Sequence, residues 1–428
     1  MKEKILNKEV KIFNQSISTK KILTHPLFSG SFFMIFGSNL ANFMAYLYHL
    51  ILGRILGPSL YGELVATISL IALIMSVISF FGLVIIKFVS SASKSETPII
   101  LGWFNGKLIP ISLALSLMVW LVSPLIGNFV HLPKNISFLF APILFFSIIS
   151  FVYKSFLQGV LKFKETAIVS SVELFSRLLF AIGFVIIGMS VFGATLGILI
   201  SSVCGLLLTR FFLRNVGFKK GEIEGFNWKS VFSYALPVFL VSITYTSLLT
   251  SDLVMVKHFF SSHDAGIYGS ISNLGKIIFY GTAPIGAVMF PLISKKKSQN
   301  TRYLNIFLLS IILVFVIGIG VLILYYLFPN LAINILYGSQ YLEGSKYLIL
   351  MGIYYVIYSV ANLFASFLLS INLTKPVLLL PIFAILQVIS ISVLHKSLWW
   401  VIGSSILSIS LLLLYLGIYF AYAKSKTT

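Results

Sequence analysis

The sequence has little charge, and few of its charges are acidic. Only 10% of its 428 residues are charged and 58% are hydrophobic, whereas about 25% of a soluble domain is charged. Lys and Arg number 31 against 11 Asp and Glu, which gives a net charge of +20. This composition excludes a soluble protein and indicates an integral membrane protein.

Several signals of chemistry are also missing. The chain has one cysteine, Cys204, so an intrachain disulfide cannot form. No glycine-rich phosphate-binding loop is present, which excludes ATP hydrolysis as the energy source. No group of His, Cys and carboxylates has metal-ligand spacing, so we expect neither a metal nor a resident cofactor, and Na⁺ or H⁺ coupling is left open.

Long apolar runs make up most of the chain. Each is roughly 20 residues or more, enough for a helix to cross a bilayer. The runs are interrupted by short loops that contain most of the basic residues. We predict about twelve spans, which cover 29–53, 62–90, 99–126, 137–159, 166–188, 192–213, 231–256, 266–290, 303–328, 345–370, 375–394 and 398–422.

The basic residues indicate which way the spans run. With the N-terminus in the cytoplasm, 23 Lys and Arg residues fall on the inner side and five on the outer side. Membrane proteins carry this excess in their cytoplasmic loops, so both termini are predicted to be cytoplasmic. The same placement accounts for the net positive charge without nucleic-acid binding. The N-terminal residues carry six lysines and lack the apolar core of a signal peptide, which predicts a basic cytoplasmic tail.

An internal repeat divides the chain into halves. The pair Tyr61-Gly62 follows the first apolar run, and the pair Tyr268-Gly269 follows the seventh. Six spans in each half make the repeats parallel, as in several transporter folds. We therefore predict an all-α polytopic membrane protein with about 12 transmembrane helices in two six-helix lobes. The predicted units are a tail at 1–26, a lobe at 27–213, a cytoplasmic loop at 214–229, a lobe at 230–423 and a tail at 424–428.

Two cations lie deep inside predicted spans. Helical rise places Arg177 roughly 16 Å and Lys276 roughly 15 Å from the nearer ends of their spans, close to the middle of a core about 30 Å thick. Charged groups at this depth usually face a cavity or pair with each other. One cation from each half would suit an anionic substrate such as a phosphate ester. Alternatively, Glu173 could neutralise Arg177 from one helical turn away.

Other polar residues in the spans have two interpretations each. Lys107 could line the cavity or extend to the inner surface. Asn39 and Asn42 could line the cavity or hydrogen-bond to a neighbouring helix. Asp252 could pair with Lys257, make a polar contact at the membrane interface, or serve as an ion-coupling or gating site. Finally, we expect Arg54 and Glu63 to be solvated beside an outer turn.

Three segments, RILGPSLYGEL, SDLVMVKHFFSSHDAGIYGSISNLGKI and MFPLISK, resemble the polysaccharide-exporting branch of the multidrug/oligosaccharidyl-lipid/polysaccharide (MOP) superfamily. The resemblance implies a Wzx-like flippase of a prokaryotic cell membrane. Such a protein moves polyprenyl-diphosphate-linked oligosaccharides to the outer leaflet by alternating access, and is not an enzyme. Its implied partners are that lipid-linked oligosaccharide, membrane lipids and other polysaccharide assembly proteins. Arg177 and Lys276 would hold the diphosphate.

Two other functions are weaker interpretations of the sequence. A MATE-like multidrug/cation antiporter needs a deep carboxylate, but the first span has no acid and the cavity candidates are mainly cations, which would repel a cationic drug. A membrane-embedded glycan polymerase or glycosyltransferase needs paired acids or a large outer loop. The sequence has neither of these features.

Overall fold

The computed structural model describes residues 26–425, apart from Lys94, Asn215, Phe218, residues 220–227 and Asn300. It also describes most of the side chains from Asn39 onward. The predicted N-terminal tail lies outside the described residues, as does most of the predicted loop between the lobes. The predicted lobe boundaries stay a prediction.

The described part of the chain is helical and contains no strand. The first half contains α1 (Pro26–Ser91), α2 (Thr97–Phe129), α3 (Lys134–Phe138), α4 (Phe140–Gly159), α5 (Phe163–Phe184), a π-helical turn (Val185–Met189) and α6 (Ser190–Leu213). The second half contains α7 (Trp228–Phe259), α8 (Ser262–Ser298), α9 (Leu304–Leu327), α10 (Pro329–Leu336), α11 (Ser345–Ser370), α12 (Leu380–Val393) and α13 (Leu398–Ser425). Short 3₁₀ helices at Ser339–Gly344 and Lys375–Leu379 precede α11 and α12.

Ten helical segments in the described residues are long and apolar enough to cross a membrane. Two of these, 39–90 and 163–213, contain breaks at glycines with positive φ, Gly57 (φ 73°) and Gly188 (φ 91°). At the first break the chain turns back, because His49 Nδ1 lies 3.2 Å from the Tyr61 hydroxyl, whereas twelve residues of straight helix span about 18 Å. The fold class is therefore confirmed, while the number twelve stays a prediction.

The outer surface of the bundle is apolar. On α9, Leu308, Ile312 and Val316 each expose more than half of their surface, and α2 has a similar row of exposed leucines. A continuous apolar surface of this extent suits lipid rather than water. The helices satisfy their own backbone hydrogen bonds, which is what a lipid environment requires.

The helices form two groups that meet along α1. Within the first group, α4, α5 and α6 pack against one another and against α1. Within the second group, α11 packs against α8, α9 and α13, and α12 packs against α7. We call these groups the N-lobe and the C-lobe. The lobes meet where α1 packs against α7 and α8.

The repeated Tyr-Gly turns touch each other at the predicted outer end of the bundle. A Cβ atom added to Gly62 would lie 2.0 Å from the Ser262 carbonyl oxygen. A Cβ atom added to Gly266 would lie 1.8 Å from the Pro58 carbonyl oxygen. Only glycine allows backbones to approach this closely. The two halves of the internal repeat therefore form the contact between the lobes at this end.

Basic side chains cross this contact in both directions. Arg54 donates to the Leu336 carbonyl from Nε at 3.0 Å and to the Asn334 and Ile335 carbonyls from Nη2. These are the last carbonyls of α10, which have no partner within their own helix. Reciprocally, Lys257 of the C-lobe donates from Nζ to the His131 carbonyl of the N-lobe at 3.3 Å.

The expectation of a solvated outer turn is wrong in part. Arg54 is exposed, as predicted, but its guanidinium is bound to the other lobe. Glu63 is partly buried rather than solvated, and its charge interacts with that of Lys257.

We expect Gly266→Ala to loosen the contact between the lobes. Its methyl group would collide with the Pro58 carbonyl, and overpacking of this kind costs about 1–3 kcal/mol. The variant should therefore have a lower melting temperature than the wild type in detergent. Gly281→Ala is the matched control, since it lies on the same helix with no atom near its Cβ position. Equal melting temperatures for the two variants would contradict the close contact.

Candidate functional site

A cavity of about 180 Å³, which we call the chamber, lies between the two lobes. Both arms of α1, on either side of Gly57, line it together with α7 and α8. Helical rise places Lys276 about 21 Å from the start of α8 at Ser262, which is deep in a bilayer core about 30 Å thick. The polar lining of the chamber consists chiefly of Asn42, His49, Ser69, Thr250, Asn273 and Lys276.

Lys276 supplies the positive charge of the chamber. Its side chain is partly buried, and its charge interacts with that of Asp252. The His49 ring, across the chamber on α1, lies within electrostatic range of both Lys276 and Arg177. Lys276 thus lines the chamber, and its role in substrate binding stays a prediction.

A second cavity of about 410 Å³ lies inside the N-lobe, between α1, α4, α5 and α6. We call it the N-lobe pocket. Its charged lining consists of Lys154, Glu173 and Arg177. Asn42 lines both this pocket and the chamber. The two predicted cations therefore face different cavities that adjoin at one asparagine.

The charges of the N-lobe pocket pair differently from the sequence expectation. Glu173 forms its ion pair with Lys154, 2.6 Å away, so the alternative in which it neutralises Arg177 is wrong. Lys154 lies within α4 and reaches Glu173 directly. The Arg177 guanidinium lies over the Tyr48 ring, with Cζ 4.2 Å from the ring centre.

Asp252 lies in the core of the C-lobe and is fully buried. Its Oδ2 accepts a hydrogen bond from the Tyr268 hydroxyl at 2.7 Å, and its Oδ1 accepts one from the Leu253 amide at 2.8 Å. The alternative ion pair with Lys257 is wrong, because five residues of helix place the two side chains on different faces. An ion-coupling or gating role for Asp252 stays a prediction.

Two of the three remaining candidates lie apart from the cavities. Lys107 is exposed on α2 and lines neither of them. Asn39 is exposed one helical turn before Asn42 and lines neither cavity. Asn42 alone of these three has the predicted placement in a cavity.

Sequence reasoning missed a polar network above the chamber. The Tyr61 hydroxyl accepts a hydrogen bond from Asn273 Nδ2 at 2.7 Å and lies 3.3 Å from the Tyr337 hydroxyl. It also contacts His49 Nδ1 at 3.2 Å. The repeated Tyr-Gly pair pointed to Tyr61, and single polar residues within apolar runs were the available signal for His49 and Asn273. This network ties both lobes together beneath the outer contact.

A family model described as polysaccharide biosynthesis protein matches residues 27–297, more than half of the chain. An uncharacterised membrane protein of Methanocaldococcus jannaschii is 25% identical over 312 residues, which cover 65% of this chain and 73% of that protein.

Solved structures share the fold at low sequence identity. An inward-facing MATE multidrug resistance transporter of the MOP superfamily has a TM-score of 0.71 at 13% identity, covering 89% of this chain and 96% of its own. The lipid II flippase MurJ, in an inward closed conformation, has a TM-score of 0.70 at 15% identity, covering 90% and 87%. A MOP transporter from Pyrococcus furiosus, whose binding pocket is described as having reverse polarity, has a TM-score of 0.59 at 14% identity, covering 92% and 95%.

These results fix the class of the protein. It is a multi-pass membrane protein. Flippases and transporters of this fold are not catalytic enzymes, which agrees, at the level of the family, with the sequence expectation. The resemblance to the polysaccharide-exporting branch is confirmed by the family model. The chain belongs to the polysaccharide biosynthesis protein family and has the fold of the MOP superfamily flippases and transporters.

Proposed function

We propose that this protein is a flippase that moves polyprenyl-diphosphate-linked oligosaccharides from the inner to the outer leaflet by alternating access. The observation that carries the proposal is Lys276, a cation that lines a chamber between two lobes. An ammonium group held in a chamber at this depth favours an anionic ligand. The diphosphate of a lipid-linked glycan supplies that charge.

The charge balance of the cavities favours an anion over a cation. Lys276 lines the chamber, and Arg177 lines the pocket beside it. Of the two nearby acids, Glu173 is paired with Lys154, and Asp252 is hydrogen-bonded to Tyr268 and does not line the chamber. A cationic drug would therefore meet repulsion that is strong in a low-dielectric site. This balance disfavours the antiporter alternative.

The size of the chamber supports an alternating-access cycle. A volume of about 180 Å³ has room for a few water molecules, each of which takes about 30 Å³ in the liquid. An oligosaccharide needs far more space. In our proposal the lobes separate on one side to admit the substrate, while the Tyr-Gly turns and Arg54 keep the predicted outer end closed.

The proposal places the protein in the cell membrane of a prokaryote with both termini in the cytoplasm. Its partners would be the lipid-linked substrate, membrane lipids and other polysaccharide assembly proteins, and no cofactor is needed for the movement itself. Coupling to Na⁺ or H⁺ stays open, with Asp252 as the candidate coupling or gating group.

Lys276→Ala should lower flipping of a lipid-diphosphate oligosaccharide in proteoliposomes. The loss of one charge-assisted contact to the diphosphate predicts a decrease of about 10-fold or more. The measurement is the fraction of fluorescent glycolipid that reaches the opposite leaflet with time. Lys107→Ala is the matched control, since it removes an exposed cation that lines neither cavity.

Both variants should keep the wild-type elution profile and melting temperature in detergent. Normal flipping by a folded Lys276→Ala protein would contradict the proposed role of this residue. An absence of flipping by the wild type would contradict the function itself.

Asp252→Asn should reduce flipping less than Lys276→Ala does. The neutral amide is close in shape to the carboxylate and can still accept the hydrogen bond from Tyr268, and Asp252 does not line the chamber. The two variants are compared in the same proteoliposome assay at equal protein density. If Asp252→Asn has the larger effect, Asp252 belongs to the coupling machinery.

A further inference from the structure

The N-lobe pocket has one positive charge that no acid in its lining neutralises. The described residues that line it include two cations and one carboxylate. Lys154 and Glu173 neutralise each other at 2.6 Å. Arg177 is left with a full charge, and an uncompensated charge in a low-dielectric site favours the uptake of an anion.

The surroundings of Arg177 hold its guanidinium in place without occupying all of its donors. The group lies over the Tyr48 ring, with Cζ 4.2 Å from the ring centre, a stabilising cation–π contact. Its Nε is buried and has no hydrogen-bond partner among the described residues. A planar guanidinium matches the two oxygens of a carboxylate.

The rest of the pocket offers hydroxyl and amide groups. Four serines line it, together with Asn42. Ser201 and Ser202 donate to the Ile198 carbonyl and Ser147 pairs with Ser202, but a hydroxyl that donates can still accept a hydrogen bond from a ligand. The serines are Ser147, Ser170, Ser201 and Ser202. The volume of about 410 Å³ lies in the range of small-molecule sites, about 300–1,000 Å³. Such a lining suits the hydroxyl groups of a sugar, with one anionic contact at Arg177.

We propose that the N-lobe pocket binds an acidic sugar residue of the transported glycan, with its carboxylate on Arg177. The inference rests on the proposed flippase function and names the class of its substrate: a lipid-linked oligosaccharide that contains a uronic-acid-type sugar. Lys276 would hold the diphosphate in the chamber. Asn42, which lines both cavities, marks where the glycan passes from one to the other.

The first test measures transport. Two polyprenyl-diphosphate glycans are prepared that differ only in carrying glucose or glucuronic acid at one position. We expect the wild type to flip the acidic glycan about 10-fold faster, the size of one charge-assisted contact. Arg177→Gln should lose this preference and still flip the neutral glycan, and Arg177→Lys should retain part of it. Lys276→Gln should slow both glycans, while Lys107→Gln should change neither.

The second test measures binding without transport. The melting temperature of the purified full-length protein is followed in glucuronate, glucose or sodium chloride at equal concentration. Glucuronate alone should raise the melting temperature of the wild type, and Arg177→Gln should abolish this increase. The test needs only the wild type if the variant does not fold.

The outcomes separate the inference from the function. Equal flipping of both glycans by the wild type would overturn the inference and leave the flippase function intact. A melting temperature raised as much by chloride or glucose as by glucuronate would also overturn the inference and leave the flippase function intact. Arg177-dependent binding of glucuronate, with no flipping of either glycan, would support the pocket and contradict the flippase.

Discussion

The structure depends on the high free-energy cost of an ionised side chain inside an apolar bundle. Each deep charge must be paired, hydrogen-bonded or placed beside a cavity. Glu173 is paired with Lys154, and Asp252 is buried against the Tyr268 hydroxyl. Lys276 and Arg177 line cavities instead. Both acids are thus engaged within their own lobes, and Lys276 and Arg177 are cavity-lining cations with no ion pair among the described residues.

The duplication of the chain explains how the cavities are closed at the predicted outer end. Each repeat contributes a turn with a Tyr-Gly pair, and the two turns pack backbone to backbone through Gly62 and Gly266. Each repeat also sends one basic side chain to a carbonyl at a helix end of the other lobe, Arg54 to α10 and Lys257 to the end of α2. Hydrogen bonds to peptide carbonyls are individually modest, so a contact built from them can hold the lobes together and still come apart.

Much of the architecture could be predicted from the sequence because hydrophobicity and glycine act locally. Apolar runs predict spans, and the Gly57-Pro58 pair marks the turn where α1 reverses. The choice of ion-pair partner could not be predicted in this way. Glu173 and Arg177 satisfy the helical spacing rule, but Lys154 comes from another helix, and only the packing of α4 on α5 brings it to Glu173.

The polar residues of the site were only partly recoverable for a similar reason. Lys276 stood out because a charge in an apolar run is rare. His49 and Asn273 did not, because a neutral polar residue in a span is common and its partner is set by distant parts of the chain. Asn273 reaches Tyr61 across more than two hundred residues of sequence. Such contacts follow from the fold, not from spacing.

The central claim is that water reaches a positively charged chamber between the lobes. The direct measurement places a cysteine at Ala45, which lines the chamber, in a Cys204→Ser background that removes the single native thiol. Its reaction rates with anionic and cationic methanethiosulfonate reagents are compared, each relative to free cysteine. We predict that the anionic reagent reacts faster and that Lys276→Gln removes the difference between the two reaction rates. A faster cationic reagent, or no reaction with either one, would contradict the central claim.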